Sequence, residues 1–397
     1  MTGMDPVILF GVLLALAMNF INGLNDAAHA IATVVATKAL SPFKAVLLTG
    51  ICNMLGPFIF TTAVATTIGT TIIYGSALTP QSIIIAILVS TALVFTATRM
   101  GIPLSSSHAM VGGLIGSSIA AFGFAAVIVP SLSILAETLV WGIIGAFIGA
   151  IVIGVIAGSL EGDVKLGVII GAICGTGVII PLMMIIGVLK LTGLFAIVLF
   201  IFISPVLGIV TAFLFDVAIS HLFRNSRQNR MKRIFSPLHV FACLFQAAGH
   251  GANDGQHAVG IITALLLSAG VISTFAIPTW VILASAIAIG LGTCFGGWKV
   301  VDKMAKKITK IRPYQGFCAA TAGSATLAMV TSYGVPVSST HVISGAIIGV
   351  GVTRGKNAVQ WDVVREMMIA WVITIPLAAL CSWAGFLCFE LVRRAVM

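Results

Sequence analysis

Long apolar blocks recur along the chain, most clearly at 7–20, 81–98, 139–159, 166–189, 193–215, 276–297 and 367–392. A helix needs about 20 apolar residues to cross the hydrocarbon core of a bilayer, and by that rule the pattern predicts roughly ten to twelve spans and no soluble domain. The blocks are continuous rather than alternating. That excludes a β-barrel, whose strands read as roughly ten-residue segments of period two. Two polar islands break the pattern. NGLNDAAHAIATVVATKAL at 22–40 sets Asn22, Asn25 and Asp26 in apolar sequence, and HGANDGQHAVGIITALLL at 250–267 does the same with Asn253 and Asp254.

Composition agrees with an integral membrane protein. Hydrophobic residues make up 59% of the 397 positions and charged residues 8%, against about 45–50% and about 25% in soluble proteins; the mean hydropathy is +1.17. The N-terminal MTGMDP has no basic region and the first apolar run is followed by no small-residue cleavage pattern, so this run is expected to stay as a span. The seven cysteines lie singly in or beside apolar runs without C-x-x-C spacing, so they read as packing residues rather than as a disulfide framework. The net charge of +10 collects in short connections, densest in RNSRQNRMKR at 224–233 and between Lys299 and Arg312. Such loops are cytoplasmic by the positive-inside rule, so the charge marks topology rather than a nucleic-acid partner. The expected location is the inner or plasma membrane of the cell, with many passes and the lipid bilayer as surroundings.

The islands belong to an internal repeat, the first thing to seek in any chain. GLNDAAHA at 23–30 matches GANDGQHA at 251–258, and GIPLSSSHAMVGGLIG at 101–116 matches GVPVSSTHVISGAIIG at 334–349, in the same order and at nearly the same offset. The first copy follows an N-terminus holding one acid, Asp5, and no base, whereas the second follows the basic 224–233 stretch. The two copies then start on opposite membrane faces, which is the inverted-topology repeat of secondary transporters. The division read from this is a first transmembrane repeat over 1–220, a basic cytoplasmic linker over 221–237 and a second repeat over 238–397. The expected fold is all-α, with about twelve helical elements in two inverted repeats. Residues 26–40 and 104–122, bounded by Gly, Pro, Asn and Asp, read as short broken or re-entrant pieces. Matching interruptions in two halves point to a midplane binding site.

Each motif has its own chemistry. An intramembrane carboxylate costs roughly 2.5–3.5 kcal/mol on insertion scales and is functional by default; the bland alternative for Asp26 and Asp254 is a helix N-cap. Glu137, Asp216 and Glu390 border apolar runs and read as interfacial. Asn22, Asn25, Asp26, Asn253 and Asp254 together offer a cage of hard oxygens suited to a small cation, sodium or a proton. Ser105, Ser106 and Ser107, with Ser338, Ser339 and Thr340, follow Pro103 and Pro336 and open new helices. Hydroxyls and helix N-terminal amides together suit a tetrahedral oxyanion; the bland alternative is interhelical hydrogen bonding. Carboxylates repel an oxyanion unless a cation sits between them, so each ligand would raise the affinity of the other by the same factor. His29 and His257, one turn beyond the acids, are placed near the ligands, whereas His108 and His341 read as packing residues that orient the hydroxyl loops. H-E-x-x-H, G-x-S-x-G and phosphate-loop signatures are absent from the sequence. A Ser/His hydrolase needs one asymmetric nucleophile and base, which the duplication argues against. A divalent-metal transporter built on the histidines is the rival within transport.

The duplicated G-[AL]-N-D segments at 23–26 and 251–254, with P-[LV]-S-S-[ST]-H at 103–108 and 336–341 and GGWKVVDKMAKKITKIRPYQGF at 296–317, resemble the inorganic phosphate transporter (PiT) family of cation-coupled symporters. The resemblance runs over nearly the whole chain. It implies import of inorganic phosphate between two inverted repeats, driven by sodium or protons, with no enzymatic step and no cofactor beyond the coupling ions. Departures are His29 and His257, where many members carry a further Asn, and Asn53, where animal members carry an acid in an E-x-x-G segment. Amide carbonyls suit a metal cation better than a proton, which favours sodium. A protonated phosphate can donate to a buried acceptor, which sulfate cannot. A homodimer is compatible with such a transporter, and the sequence specifies no interface for one.

Overall fold

The computed structural model describes residues 5–59, 62–102, 104–159, 163–191, 193–307, 309 and 311–396, with backbone alone at 27, 29 and 303–307. Its described residues form fourteen α-helices and no strand beyond the isolated bridge Ile73–Val127. The first copy comprises α1 (Pro6–Ala36), α2 (Pro42–Leu55), α3 (Ala63–Thr70), α4 (Pro80–Met100) and α5 (Ser106–Phe122). Then come α6 (Leu132–Ser159), α7 (Val164–Ile185) and α8 (Gly193–Leu222). The second copy comprises α9 (Gln228–Ser268), α10 (Thr279–Phe295), α11 (Trp298–Lys307), α12 (Pro313–Ser332) and α13 (Ser339–Val352), and α14 (Trp361–Val396) closes the chain.

Six helices, α1, α4, α6, α7, α8 and α14, are long and apolar enough to cross a membrane, or seven spans if α2 and α3, bent by 73°, count as one. This is fewer than the ten to twelve expected. The shortfall has two causes: α9 and α12 carry too many polar residues to read as lipid-crossing, and α5, α10 and α13 are too short. Outward faces of the apolar helices are lipid-like, with Leu139, Ile143 and Phe147 of α6 all exposed. All seven cysteines are free thiols.

The two copies run in opposite directions. A Cβ on Gly11, near the start of α1, would lie 2.6 Å from Leu265 near the end of α9. At the other end of α1, Thr33 and Thr37 hydrogen-bond His239 from the early part of α9, at 3.0 and 3.3 Å. Halfway along, Asp26 meets His250. The helices are therefore antiparallel and cross at their polar islands, as an inverted repeat requires. The rest of the fold follows the same exchange: α4 lies on α1 as α12 lies on α9, and α10 lies on α1 as α2 lies on α9. The motif helices α5 and α13 each lean on a long apolar helix from beyond their own copy, α14 for α5 and α8 for α13. The connection between α8 and α9 is short, and the bases from Arg230 onward sit in the first turns of α9.

One expected break is not there. Residues 26–40 form no separate piece, because α1 is continuous from Pro6 to Ala36 and α9 continuous through 250–267. The amide and carboxylate side chains that would unsettle a helix each find a tertiary partner. Gly23 and Gly251, which read as breakers, instead let the α10 and α2 backbones approach the helix axis. The second expected break is present. α4 ends at Gly101 (φ 72°) and the chain beyond α12 turns at Gly334 (φ 71°), both left-handed positions that favour glycine. Non-helical backbone then leads to α5 and α13, which start in the middle of the protein; Pro103 itself lies outside the described residues.

Apolar packing seals this middle layer from both ends. Ile8, Val12, Ile68, Ile87, Met110 and Leu265 form one cluster on the side where α1 starts. Ile31, Val34, Cys243, Val301 and Ile347 form another where it ends. Outside these, α6 and α7 pack through glycines at four-residue spacing, where a Cβ on Gly145 would lie 2.7 Å from the Gly175 carbonyl and Gly149 faces Gly171. Small residues give membrane helices their close contact, since lipid is as apolar as the helices themselves. Gly171→Leu should therefore wedge α7 from α6 and lower stability by roughly 1–3 kcal/mol. The readout is the thermal midpoint in detergent, with lipid-facing Ile169→Leu as a silent control.

Candidate functional site

Asn19, Asn22, Asn25 and Asp26 repeat every three or four residues, so α1 presents them on one face, and all four are buried. His250, Asn253, Asp254 and His257 do the same on α9. Neither acid caps a helix, since both lie well inside one.

The signature asparagines serve as brackets. Asn25 Nδ2 donates to Asp26 Oδ1 at 2.7 Å and to the Leu104 carbonyl at 3.0 Å, while Thr98 donates to Asn25 Oδ1 at 2.9 Å. In the second copy Asn253 Nδ2 donates to Asp254 Oδ1 at 2.5 Å and to the Val337 carbonyl at 2.7 Å, while Thr331 donates to Asn253 Oδ1 at 3.3 Å. Each asparagine thus ties its acid to the non-helical backbone that launches α5 or α13, and a threonine from α4 or α12 fixes the amide's orientation.

The hydroxyl motifs each reach both copies. Ser106 donates to Asn22 Oδ1 at 2.6 Å within its own copy, and Ser107 meets His257 Nδ1 of the other at 3.4 Å. Ser339 donates to Asp254 Oδ2 at 2.9 Å within its own copy, and Thr340 reaches Asp26 Oδ1 of the other at 3.5 Å. Ser105 caps α5 by accepting from the His108 amide at 3.3 Å. Ser338, the N-cap residue of α13, has a buried hydroxyl with no protein partner among the described residues, as does His257 at Nε2. These two are the polar atoms best placed to take up a ligand. A cavity of about 10 Å³ lined by Asn19, Asn22 and Ser106 adjoins His257.

His250 is the central residue that sequence reasoning missed. Its Nε2 lies 3.3 Å from Asp26 Oδ2 and 3.1 Å from Asp254 Oδ2, and its Nδ1 lies 3.1 Å from Asn53 Oδ1. Asn53 turns its oxygen to the ring because its Nδ2 donates to Thr293 Oγ1 at 2.6 Å, and Thr293 in turn donates to the Ile289 carbonyl. Both ring nitrogens face acceptor oxygens, an arrangement that suits an imidazole donating from both between two carboxylates. Ligand atoms of Asp26, His250 and Asp254 all lie within 4.8 Å of one another. Two carboxylates this close repel by about 3 kcal/mol at an effective dielectric constant of 20. A signal for His250 was available: extending the alignment of the copies one residue upstream of Gly23 and Gly251 pairs it with Asn22. Thr98 and Thr331 share the offset of the serine motifs in the same way.

The remaining candidates separate. His108 and His341 meet edge to face, with ring centroids 4.8 Å apart, and His341 also lies on Trp371 at 4.2 Å. They join α5 to α13 where the two motif helices start. The side chain of His29 lies outside the described residues. Asp216, read as interfacial, lies near the end of α8, where α13 also ends; protein packing buries it there, and it accepts from Thr353 Oγ1 at 2.6 Å.

Comparison with known proteins agrees with this geometry. The sequence pattern of the Phosphate transporter family matches residues 22–164 and 165–382. The chain is 37% identical over 388 residues to a probable low-affinity inorganic phosphate transporter of Rhizobium meliloti (strain 1021), covering 98% of each. It is 34% identical over 382 residues to a protein of the same description from Bacillus subtilis (strain 168), covering 95% of this chain and 96% of that one. A solved structure described as "The sodium-dependent phosphate transporter" superposes with a TM-score of 0.70 at 26% identity, covering 98% of this chain and 100% of the other. Fold, duplicated motifs and matched length lead to one statement: this chain belongs to the phosphate transporter family.

Proposed function

We propose that the chain imports inorganic phosphate by symport with sodium. The observation that carries this reading is the meeting of two hydroxyl-bearing helix starts with two carboxylates in one sealed layer, where Ser339 and Thr340 touch Asp254 and Asp26. Ser105, Ser106, Ser107, Ser338, Ser339 and Thr340, with the first-turn amides of α5 and α13, hold the phosphate. Asn22, Asn25, Asp26, Asn253 and Asp254 hold the sodium ions. The family supports phosphate as cargo, and the sodium-dependent structural neighbour supports sodium as the driving ion.

The mechanism follows from charge. Hydroxyl hydrogens now given to Asn22, Asp26 and Asp254 must turn toward the phosphate when it binds, which leaves the carboxylates in need of a new partner. Sodium supplies it and screens the carboxylates from the anion, so the two ligands bind best together. Loading by cargo and ion together would relieve the buried repulsion that the anion alone would meet from the carboxylates. The antiparallel copies then offer two equivalent ways to open the layer, one toward each membrane face.

One observation favours a second reading, with a proton as the driving cation: His250 places an imidazole able to carry a proton between the acids. Phosphate uptake into proteoliposomes under a sodium gradient at equal pH, and under a pH gradient without sodium, separates the two. Uptake under the sodium gradient alone is expected. His250→Asn, which makes the copies alike at this position, should leave sodium-driven uptake measurable and abolish any uptake driven by pH alone.

Asp26→Asn and Asp254→Asn should each insert normally and reduce sodium-driven uptake at least tenfold, with a weaker dependence on sodium concentration. An unchanged sodium dependence in both would remove the acids from the ion site. Ser106→Ala and Ser339→Ala should each raise the apparent KM for phosphate by roughly 10- to 100-fold, because a lost bond to a charged ligand weakens binding by about 1.5–3 kcal/mol. Initial-rate measurements at saturating sodium provide the check, with sulfate as a competitor expected to be weaker than phosphate.

A further inference from the structure

At the membrane end where α1 finishes, a cavity of about 640 Å³ opens between three elements: the turn after α1, the α8–α9 connection and the start of α12. Its size falls within the roughly 300–1,000 Å³ range of sites that hold a small organic ligand. Lys38, Arg224, Lys232 and Arg312 line it, and no acid does. None of the four bases is paired with a carboxylate among the described residues.

Local structure makes the cavity more positive still. α12 begins beside it with Arg312 as N-cap residue and Pro313 at N1, so the positive end of a 20-residue helix faces the space. The negative end of α1 is covered. Lys38 N donates to the Val35 carbonyl at 3.1 Å, Ala39 N to Val34 at 2.9 Å and Thr37 Oγ1 to Thr33 at 2.9 Å. Lys38 occupies the left-handed position of this cap (φ 57°), where glycine is the usual residue. The two helices that flank the cavity also carry exposed apolar residues outside its lining, Leu222 (75% exposed) at the end of α8 and Phe241 (70% exposed) further along α9, and such faces suit acyl chains.

We propose that this cavity binds a phosphate group, presented either by the headgroup of an anionic phospholipid or as free inorganic phosphate, at a place separate from the layer of Asp26 and Asp254. The clustered bases and the α12 N-terminus recognise the anion, while the exposed faces of α8 and α9 give a lipid somewhere to lie. General attraction of anionic lipid to a basic membrane face is the competing explanation. The α9 bases Arg227, Arg230 and Arg233, on the same face but outside the cavity lining, isolate it.

The test uses the full chain in phosphatidylcholine nanodiscs. Titration with phosphatidylglycerol, read by native mass spectrometry, should show binding weakened roughly 100-fold by combined Lys38→Gly, Arg224→Gln and Lys232→Gln, at about fivefold per base. Combined Arg227→Gln, Arg230→Gln and Arg233→Gln should change it less than threefold. A second arm measures isotopic inorganic phosphate binding without anionic lipid, on a background of Ser106→Ala and Ser339→Ala. Loss of binding by the cavity variant in the first arm alone identifies lipid as the source, in the second alone free phosphate, and in both either source. Equal weakening by the two triple variants, or no weakening by the cavity variant in either arm, overturns the proposal. Should the triple variant fail to fold, Lys38→Gly, which suits the left-handed turn, carries the test alone with a fivefold effect expected.

Discussion

Two carboxylates held within reach of one buried imidazole set the terms for everything around them. Asp26 and Asp254 cannot both stay ionised in an apolar interior without a positive partner, and the fold sets between them an imidazole able to carry a proton, that of His250, itself bonded to Asn53. Around this core Asn25 and Thr340 meet Asp26 Oδ1, Asn253 meets Asp254 Oδ1 and Ser339 meets Asp254 Oδ2, so the layer is held together by bonds that can be exchanged. A neutral core would be easier to bury and could not be switched by ions. A charged one, under the function proposed above, would make affinity for an anion depend on which cation is present.

Duplication turns this chemistry into architecture. Antiparallel α1 and α9 bring the two polar islands to the same depth, and the short helices α5 and α13 aim their first turns at that depth from opposite sides. α14 and α8 brace them from outside their own copies. The equivalence is not complete. Asn22 in one copy stands where His250 stands in the other, so the imidazole is supplied by the second copy alone. One imidazole can bridge two carboxylates; two facing each other would bring like charges together in the same layer.

Much of this was legible in the chain itself. Apolar blocks and low charge decide the membrane, because lipid admits only helices or closed barrels and the blocks are continuous. The repeated Asn-Asp and Ser-His motifs mark the residues that meet in the buried polar layer, since polar groups at that depth survive only with partners or a task. Basic clusters at one end of each α1–α9 pairing give the relative direction of the copies. Gly-x-Pro before each serine run, Gly101-Ile102-Pro103 and Gly334-Val335-Pro336, marks the real helix breaks, because a helix-ending glycine with a proline two residues on stops a helix by backbone geometry alone.

Tertiary structure decided the rest, for one physical reason: a helix is broken or kept, and a charge exposed or buried, according to the partners available. Glycines and asparagines at 22–26 read as breakers, yet α1 stays whole because its amides bond to Leu104 and Asp26 and its glycine admits α10. Asp216 borders an apolar run in the sequence, and only packing brings Thr353 to its carboxylate. His250 was visible as a letter next to a motif, but its place between two acids more than 200 positions apart in sequence arises only from crossing two helices at their midpoints. Sequence determines which groups need partners, and only the packed chain determines which partners they meet.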